Sequence, residues 1–219
     1  MKTIELNASV TASNDADADS IRIEMKKKGT LLVNLMSSPG SGKTTLLSRI
    51  IKDLKDEKKI GVMEADIASD VDAQRVEDAG AKSIQAHTDG MCHMDAGMTR
   101  RAMEAMGTDN LDLVFLENVG NLICPAEFDT GAGKNIMILS IPEGDDKPLK
   151  YPLMFEKSDA LVITKMDTKD YFDFDLDKCI ERVKRLNKDI EIFPVSAKSG
   201  EGMDDLEDWL LSQVALWKE

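Results

Sequence analysis

Long apolar segments are missing from this sequence of 219 residues. A helix that spans a bilayer needs about 20 consecutive apolar residues, and no run of that length occurs. The N-terminal stretch MKTIELNASVTASNDADADS also lacks the apolar core of a secretory signal peptide. We therefore expect a cytoplasmic protein that has no membrane partner.

Positive charge is scarce as well. The chain has 28 lysines and arginines against 41 aspartates and glutamates, which gives a formal net charge of −13. A surface of that sign repels nucleic-acid phosphates and anionic lipid headgroups. We therefore expect no nucleic-acid partner.

Cysteine is rare, and the three that occur are Cys92, Cys124 and Cys179. They are too few and too scattered for a disulfide framework, and cytosolic thiols usually stay reduced. Each cysteine is then a residue packed in the core, a nucleophile or a metal ligand. Cys179 lies inside a predicted amphipathic helix with no other Cys or His nearby, so we assign it to packing. His87 ends a predicted strand and is assigned to a loop.

What the sequence does have is a regular alternation of two hydrophobic periods. Apolar, β-branched runs bounded by turn residues predict buried strands at about 31–36, 60–64, 82–86, 111–117, 135–141, 159–165 and 190–195. Amphipathic stretches between them predict helices at about 43–57, 70–79, 95–106, 174–187 and 203–217. This alternation indicates an α/β fold of three layers with a mostly parallel central sheet.

Two segments fall outside this alternation. Residues 7–20, rich in Asn, Ser, Ala and Asp, predict a flexible leader before a short helix at about 20–28. We therefore divide the chain into a leader with a short helix, 1–28, and one domain, 29–219. Residues 142–152, PEGDDKPLKYP, are charged and predict a mobile loop.

The stretch SSPGSGKTT, residues 37–45, joins the first predicted strand to a helix. It matches the phosphate-loop (P-loop) pattern G-x-x-x-x-G-K-[ST], except that Ser37 replaces the first glycine. In this pattern backbone N–H groups surround the β-phosphate, the lysine neutralises phosphate oxygens and the hydroxyl binds Mg²⁺. A glycine-rich turn that only caps a helix is the alternative. The residues predicted to bind the phosphates are Gly40, Ser41, Gly42, Lys43, Thr44 and Thr45.

Two later motifs predict that the base is guanine. TKMD, residues 164–167, follows a strand and resembles the N-K-x-D motif of GTPases, with Thr164 in place of asparagine. The Asp167 carboxylate would accept hydrogen bonds from two guanine N–H groups, a pair that adenine lacks. Because the missing amide normally ties this loop to the P-loop, we expect weaker affinity with the same base preference. A charged turn is the alternative. The predicted base contacts, with SAK at 196–198 as the second guanine loop, are Lys165, Asp167, Ser196, Ala197 and Lys198.

A third motif lies where the strand at 111–117 ends. Glu117 and Gly120 look like the D-x-x-G switch of GTPases, with Glu in place of Asp. The carboxylate would reach Mg²⁺ through water, and the glycine N–H would meet the γ-phosphate. Glu64 and Asp66 end an earlier strand, and we choose Asp66 as the group that contacts Mg²⁺ or positions the attacking water. The predicted catalytic residues are Lys43, Asp66 and Glu117, and the predicted Mg²⁺ ligands are Thr44, Asp66 and Glu117.

A second metal site is indicated by sulfur and nitrogen donors. Cys92 and His93 are adjacent, and Cys124 lies four residues beyond Gly120. Thiolate and imidazole donors suit Zn²⁺ and Ni²⁺ and poorly suit Mg²⁺ or Ca²⁺. From the residues alone, packing of the cysteines and a helix-capping role for His93 stay open as alternatives.

The runs SSPGSGKTTLL, GMCHMDA, LENVGNLICPAEFD and EGDDKPLKYPLMF, with the two guanine motifs, resemble the HypB family of hydrogenase nickel-incorporation GTPases over nearly the whole chain. The resemblance implies a P-loop NTPase fold, a homodimer that forms with GTP bound, and slow, Mg²⁺-dependent conversion of GTP to GDP. It also implies that Cys92, His93 and Cys124 bind Ni²⁺ or Zn²⁺. The implied function is to help insert nickel into the large-subunit precursor of nickel–iron hydrogenase.

One departure from that family concerns nickel supply. Many members carry an N-terminal cysteine motif or a histidine-rich stretch, whereas residues 1–30 here contain neither Cys nor His. We therefore expect no nickel storage by this segment. Nickel is expected to come from a partner, such as the small zinc-containing accessory protein of the same pathway.

Rival interpretations differ in their chemistry. A sister metallochaperone GTPase for urease uses a Cys-Pro-His motif, and a chaperone GTPase for a cobalamin enzyme lacks the paired Cys/His site. A small-molecule kinase would transfer phosphate to a substrate instead of water. A non-catalytic nickel buffer would bind metal without hydrolysing GTP.

Overall fold

A computed structural model describes the backbone of residues 7–65 and 70–219 and the side chains of residues 12–65 and 75–219. Within these ranges the core of the fold is one parallel sheet, ordered β3-β2-β4-β1-β5-β6-β7. Each predicted strand is present, with its ends within two residues of the prediction. The strands are β1 (Leu31–Ser37), β2 (Ile60–Glu64), β3 (Lys82–Gln85), β4 (Leu113–Glu117), β5 (Lys134–Ser140), β6 (Ala160–Thr164) and β7 (Glu191–Pro194).

Helices cover both faces of this sheet. They are α1 (Asn7–Lys28), α2 (Lys43–Leu54), α3 (Asp70–Ala79), α4 (Ala96–Met106), α5 (Cys124–Glu127), α6 (Lys147–Lys150), α7 (Pro152–Glu156), α8 (Leu176–Leu186) and α9 (Met203–Lys218). On one face Leu46 of α2 and Leu206 of α9 pack against Val33 and Leu35 of β1. On the other face α1 and α4 pack over one half of the sheet, and α7 and α8 pack over the other half. The prediction of a three-layer α/β fold is confirmed.

The N-terminal segment differs from the sequence prediction. Where a flexible leader was expected over 7–20, the chain is helical, and α1 runs unbroken from Asn7 to Lys28. Ala18, Ile21 and Met25 of α1 are fully buried. Asn, Ser and Asp favour caps and turns in isolation, so packing on the sheet stabilises a helix that its own composition does not predict. The division of the chain at residue 28 stays a prediction.

The segment predicted as a mobile loop, 142–152, is also structured. A 3-10 turn, Ile141–Glu143, follows β5 and is closed by a capping box between Ser140 and Glu143. The short helices α6 and α7 follow it, each with a proline in its first turn. The turn-forming residues that suggested a loop therefore begin short helices instead.

No helix in the described ranges has both the length and the apolar character needed to cross a membrane.

Candidate nucleotide and metal site

The predicted nucleotide motifs meet at the carboxyl ends of the central strands. In the sheet, β1 lies between β4 and β5. The loops that follow β1 and β4 therefore leave from the carboxyl ends of neighbouring strands, which is the edge where ligands bind in open parallel sheets. The P-loop follows β1, the Glu117–Gly120 switch follows β4, and the TKMD loop follows β6. Strands that are far apart in sequence thereby bring three separate motifs to one edge.

The P-loop has the backbone shape that phosphate binding needs. Gly42 lies at the N-cap of α2 in the left-handed region, with φ of 98°, a conformation that glycine adopts without steric cost. The next residue, Lys43, is only 4% exposed. Its Nζ donates to the Ser37 hydroxyl oxygen at 3.1 Å. Ser37, which replaces the first glycine of the pattern, thus holds the Lys43 ammonium group.

The predicted Mg²⁺ ligands that the structure describes lie together. The Thr44 hydroxyl donates to Glu117 Oε1 at 3.2 Å. Glu64 ends β2 directly beside Glu117, and their Cα atoms are partners in the parallel register. Both carboxylates are buried. Hydroxyl and carboxylate oxygens are the donors that Mg²⁺ prefers, so these residues fit that ion. Asp66, which we preferred over Glu64, lies outside the described residues.

The switch glycine is fitted closely to the P-loop. A Cβ atom placed on Gly120 would lie 3.0 Å from both the backbone nitrogen and Cγ of Pro39. A larger residue would therefore push this segment away from Pro39 of the P-loop. This contact gives a steric reason for glycine at this position.

The predicted guanine loop, TKMD at residues 164–167, is tied to the P-loop in a way that the sequence analysis did not foresee. The Thr164 hydroxyl, which is buried, donates to the Ser41 carbonyl oxygen at 2.7 Å. Lys165 has φ of 62°, and its Nζ donates to the Gly40 carbonyl oxygen at 2.7 Å. The expectation that Thr164 leaves this loop untied is wrong, because a hydroxyl makes the bond in place of an amide.

The two predicted guanine loops also contact each other. The Ser196 hydroxyl donates to Asp167 Oδ1 at 2.7 Å, while the Asp167 side chain stays exposed. Ser196 is itself fully buried, which fixes the orientation of the carboxylate. Ala197 is half-buried, and Lys198 and Thr45 are exposed. An oriented, accessible carboxylate is what recognition of two N–H groups requires.

Cys92, His93 and Cys124 form a cluster whose donor atoms all lie within 4.8 Å of one another. The Sγ atoms of Cys92 and Cys124 are 2.9 Å apart, and Cys92 Sγ lies 3.8 Å from His93 Nδ1. Two thiols and an imidazole fit a borderline ion such as Ni²⁺ or Zn²⁺. The cluster is at the protein surface, since Cys92 is exposed. In contrast, Cys179 is fully buried in the core, as predicted, and His87 lies exposed after β3.

The environment of the cluster governs its proton binding. Burial lowers the pKa of His93, although Asp95 and Glu127 oppose the shift. Its ring stacks on Phe128 with centroids 3.9 Å apart. The hydrogen bond with Cys92 raises the pKa of the Cys124 thiol, and burial raises it further. The neutral imidazole is ready to coordinate, whereas the thiols must lose protons when metal binds.

The sequence analysis missed one contact, which joins the P-loop to the 3-10 turn after β5. Glu143 accepts hydrogen bonds from Ser38 in the P-loop and from both the backbone and the hydroxyl of Ser140. It therefore joins the P-loop to the end of β5. A Glu three residues after a Ser is the pattern of a capping box. This pattern could have identified Glu143 from the sequence.

Comparison with known proteins agrees with this geometry. The family model for the nucleotide-binding domain of CobW/HypB/UreG matches residues 31–194. The hydrogenase maturation factor HypB of Rhizobium leguminosarum bv. viciae is 42% identical over 209 residues, which cover 95% of this chain and 70% of that protein.

Two crystal structures are similar over most of the chain. HypB from Archaeoglobus fulgidus has a TM-score of 0.87 and 35% identity, covering 93% of this chain and 99% of that chain. HypB from Helicobacter pylori, in complex with nickel, has a TM-score of 0.86 and 38% identity, covering 93% of this chain and 95% of that chain. The protein described here therefore belongs to the HypB family of hydrogenase maturation factors, which are P-loop GTPases.

Proposed function

We propose that this protein is a nucleotide-switched nickel metallochaperone. It hydrolyses GTP slowly with Mg²⁺ and helps insert nickel into the large-subunit precursor of nickel–iron hydrogenase. Membership of the HypB family supports this function, as does the similarity to a HypB crystallised with nickel. The relatives' names do not favour a urease-specific chaperone, a cobalamin-enzyme chaperone or a nickel buffer.

We assign a role to each residue in the nucleotide half of the site. Lys43 would neutralise the phosphate oxygens, and the Gly120 N–H would meet the γ-phosphate. Thr44, Asp66 and Glu117 would hold Mg²⁺. Asp66 would position the water whose oxygen attacks the γ-phosphorus. The bond between that phosphorus and the bridging oxygen breaks, GDP leaves, and the water supplies the new oxygen of inorganic phosphate and releases a proton to solvent. Bound Mg²⁺ offsets the negative charge of the phosphates. Hydrolysis is slow because none of the residues assigned to the nucleotide is an arginine.

The metal half carries nickel as cargo. Cys92, His93 and Cys124 supply three donors, whereas tetrahedral Zn²⁺ or square-planar Ni²⁺ takes four. In a two-fold homodimer formed with GTP bound, Cys92 and Cys124 of both chains would supply four thiolates, with His93 assisting transfer. We infer that nickel reaches this cytoplasmic site from a small accessory protein of the same pathway and leaves it for the hydrogenase precursor.

One observation carries the link between nucleotide and nickel. Residues 117–124 begin at Glu117, bonded to Thr44 at 3.2 Å, and end at Cys124, 2.9 Å from Cys92. A change at the γ-phosphate that moves this segment also moves a metal ligand. By linkage, nucleotide and metal must then alter each other's affinity by the same factor.

The test is a nickel and zinc titration against a competing chelator. Protein is held with GDP or with a non-hydrolysable GTP analogue, and its mass in solution is measured in each state. We expect tighter metal binding and a dimer with the GTP analogue, and weaker binding with GDP by about 10-fold. Equal affinity in both nucleotide states would rule out the switch.

Two cysteine variants complete this test. Cys124→Ala should weaken metal binding in both states, because it removes one of the three donors. Cys179→Ala, which changes a cysteine buried in the core, should leave metal affinity at the parent value. Unchanged affinity in Cys124→Ala would remove that residue from the site.

A further inference from the structure

Two asparagine side chains make hydrogen bonds to the backbone at the Cys92–His93 pair. Asn118 Oδ1 accepts a hydrogen bond from the Met94 backbone N–H at 3.1 Å, directly after His93. Asn121 Nδ2 donates to the Cys92 carbonyl oxygen at 3.3 Å. Both asparagines belong to the segment that links Glu117 to Cys124. We call Asn118 and Asn121 the asparagine clamp.

The clamp is connected to the sheet through a row of amides, of which Asn34 and Asn118 are buried. Asn118 is fully buried, and its Nδ2 donates to Asn34 Oδ1 in β1 at 3.0 Å. Asn34 Nδ2 donates in turn to Asn135 Oδ1 in β5 at 3.0 Å. Buried amides cost free energy unless their hydrogen bonds are made. The bond between Asn118 Nδ2 and Asn34 Oδ1 meets this requirement and holds the Asn118 side chain in a single orientation.

The same side chain also contacts the nucleotide switch. Asn118 Oδ1 accepts from the Val119 N–H at 2.9 Å, so one oxygen binds both the switch backbone and the backbone of Met94. Gly120, the next residue, lies against Pro39 of the P-loop. A displacement of Val119 and Gly120 by the γ-phosphate therefore shifts the acceptor of the Met94 N–H.

Asn121 extends the connection to the third metal ligand. Its Oδ1 accepts from the Ile123 N–H at 2.8 Å, adjacent to Cys124. It thus bridges Cys92 and the start of α5. Cys124 is connected to the switch because it lies close to Gly120 in the sequence. Cys92 and His93, which lie before α4, are connected to the switch by the clamp.

We propose that Asn118 and Asn121 are positioning residues through which the nucleotide switch sets the geometry of Cys92 and His93. The clamp moves all three metal donors together when the γ-phosphate binds or leaves. This inference rests on the nucleotide-switched metal binding proposed above, and it names the residues that transmit the change. Neither asparagine is a metal ligand.

The experiment measures the ratio of nickel affinities between the GTP-analogue and GDP states in four proteins. These are the parent, Asn118→Ala, Asn121→Ala and the control Asn135→Ala, which shortens the same amide row at its far end. Nickel–thiolate absorption confirms that metal occupies the cysteines in each protein. In the parent we expect a ratio of about 10. In both clamp variants it should fall to within about twofold of one, and in Asn135→Ala it should stay near the parent value.

A purely structural role would weaken nickel binding equally in both nucleotide states and leave the ratio unchanged, which would overturn the proposal. Loss of the ratio in Asn135→Ala as well would overturn the assignment to the clamp. If Asn118→Ala does not fold, the half-buried Asn121→Ala decides, because the proposal requires its ratio to fall. A ratio of one in the parent would overturn the nucleotide switch itself and this inference with it. A parent ratio near 10 with unchanged clamp variants would overturn this inference alone.

Discussion

The Thr164 hydroxyl donates a 2.7 Å hydrogen bond to the Ser41 carbonyl oxygen, across 123 residues of sequence. This bond joins the loop that is assigned to the base to the loop that is assigned to the phosphates. Lys165 makes a parallel bond to Gly40. The two halves of the nucleotide site are therefore held at a fixed distance.

Thr164→Val should lower GDP affinity by about 10-fold, because it leaves a buried carbonyl oxygen without its donor. Titration calorimetry with GDP measures the change. The control is Thr30→Val, since the buried Thr30 hydroxyl makes a 2.7 Å bond to the Leu111 carbonyl oxygen in another part of the fold. Equal losses of affinity in both variants would show that the bond has no specific role in nucleotide binding.

Lys43→Ala should lower the rate of GTP hydrolysis by about 100-fold or more, because the lysine neutralises charge that develops on the transferred phosphate. Phosphate release at saturating GTP measures the rate. Lys52→Ala, an exposed residue on the same helix, should hydrolyse GTP at the parent rate. Hydrolysis by Lys43→Ala at that rate would show that the P-loop assignment is incorrect.

Asp167→Asn should shift nucleotide preference from GTP toward xanthosine triphosphate. An amide cannot accept from both guanine N–H groups, and each N–H group left without an acceptor in the bound complex costs about 1–3 kcal/mol. Competition binding of the two nucleotides measures the shift, with the exposed Asp170→Asn from the same 3-10 segment as control. If the parent bound ATP and GTP equally well, the guanine assignment would fail.

Lys147 and Lys150 lie on α6, where Lys147 Nζ is 5.6 Å from the Tyr151 ring centroid and Lys150 pairs with Asp146 at 2.6 Å. We expect these two lysines to supply positive charge to a nucleotide. Changing both to Gln should slow hydrolysis by about 10-fold or weaken dimerisation at low salt. The doubly substituted Lys52→Gln, Lys55→Gln protein, which loses the same charge from α2 and its C-cap, is the control. If the α6 double variant matches this control in both measurements, these lysines have no role.

Glu207 of α9 gives a stability prediction that depends on pH. Burial, together with the nearby Asp53 carboxylate, raises the pKa of Glu207 to about 7. Because the folded-state pKa lies above the ordinary carboxyl value, the free energy of unfolding falls as pH rises from about 4.5 to about 7. Glu207→Gln removes this loss, so its Tm at pH 8 should exceed the parent's by about 2–4 °C.

Thermal melts from pH 5 to pH 8 test this prediction. The Tm of Glu207→Gln should vary less with pH than that of the parent. Asp208→Asn, which changes an exposed neighbour, should keep the parent's pH dependence. Parallel curves for the parent and Glu207→Gln would show that the Glu207 carboxyl does not titrate in this range.

Much of the fold was readable from the sequence because its signals are local. Buried parallel strands such as β6 are continuous apolar runs, and amphipathic helices such as α8 repeat at the helical period. The P-loop occupies one strand-to-helix turn, so its residues are neighbours in sequence as well as in space. Periodicity and motif spacing therefore predicted the strands, the main helices and the three nucleotide motifs.

The tertiary structure decided the contacts that depend on strand order. The thiols of Cys92 and Cys124 meet across 32 residues, and Glu64 lies beside Glu117 because β2 pairs with β4. Strand order and register place these groups, and no local pattern in the chain encodes either. Ala18, Ile21 and Met25 of α1 are likewise buried by packing in the tertiary structure, in a helix that the composition of residues 7–20 did not predict. The sequence by itself determined which chemical groups the protein has, and only the assembled sheet determined which of them lie within bonding distance.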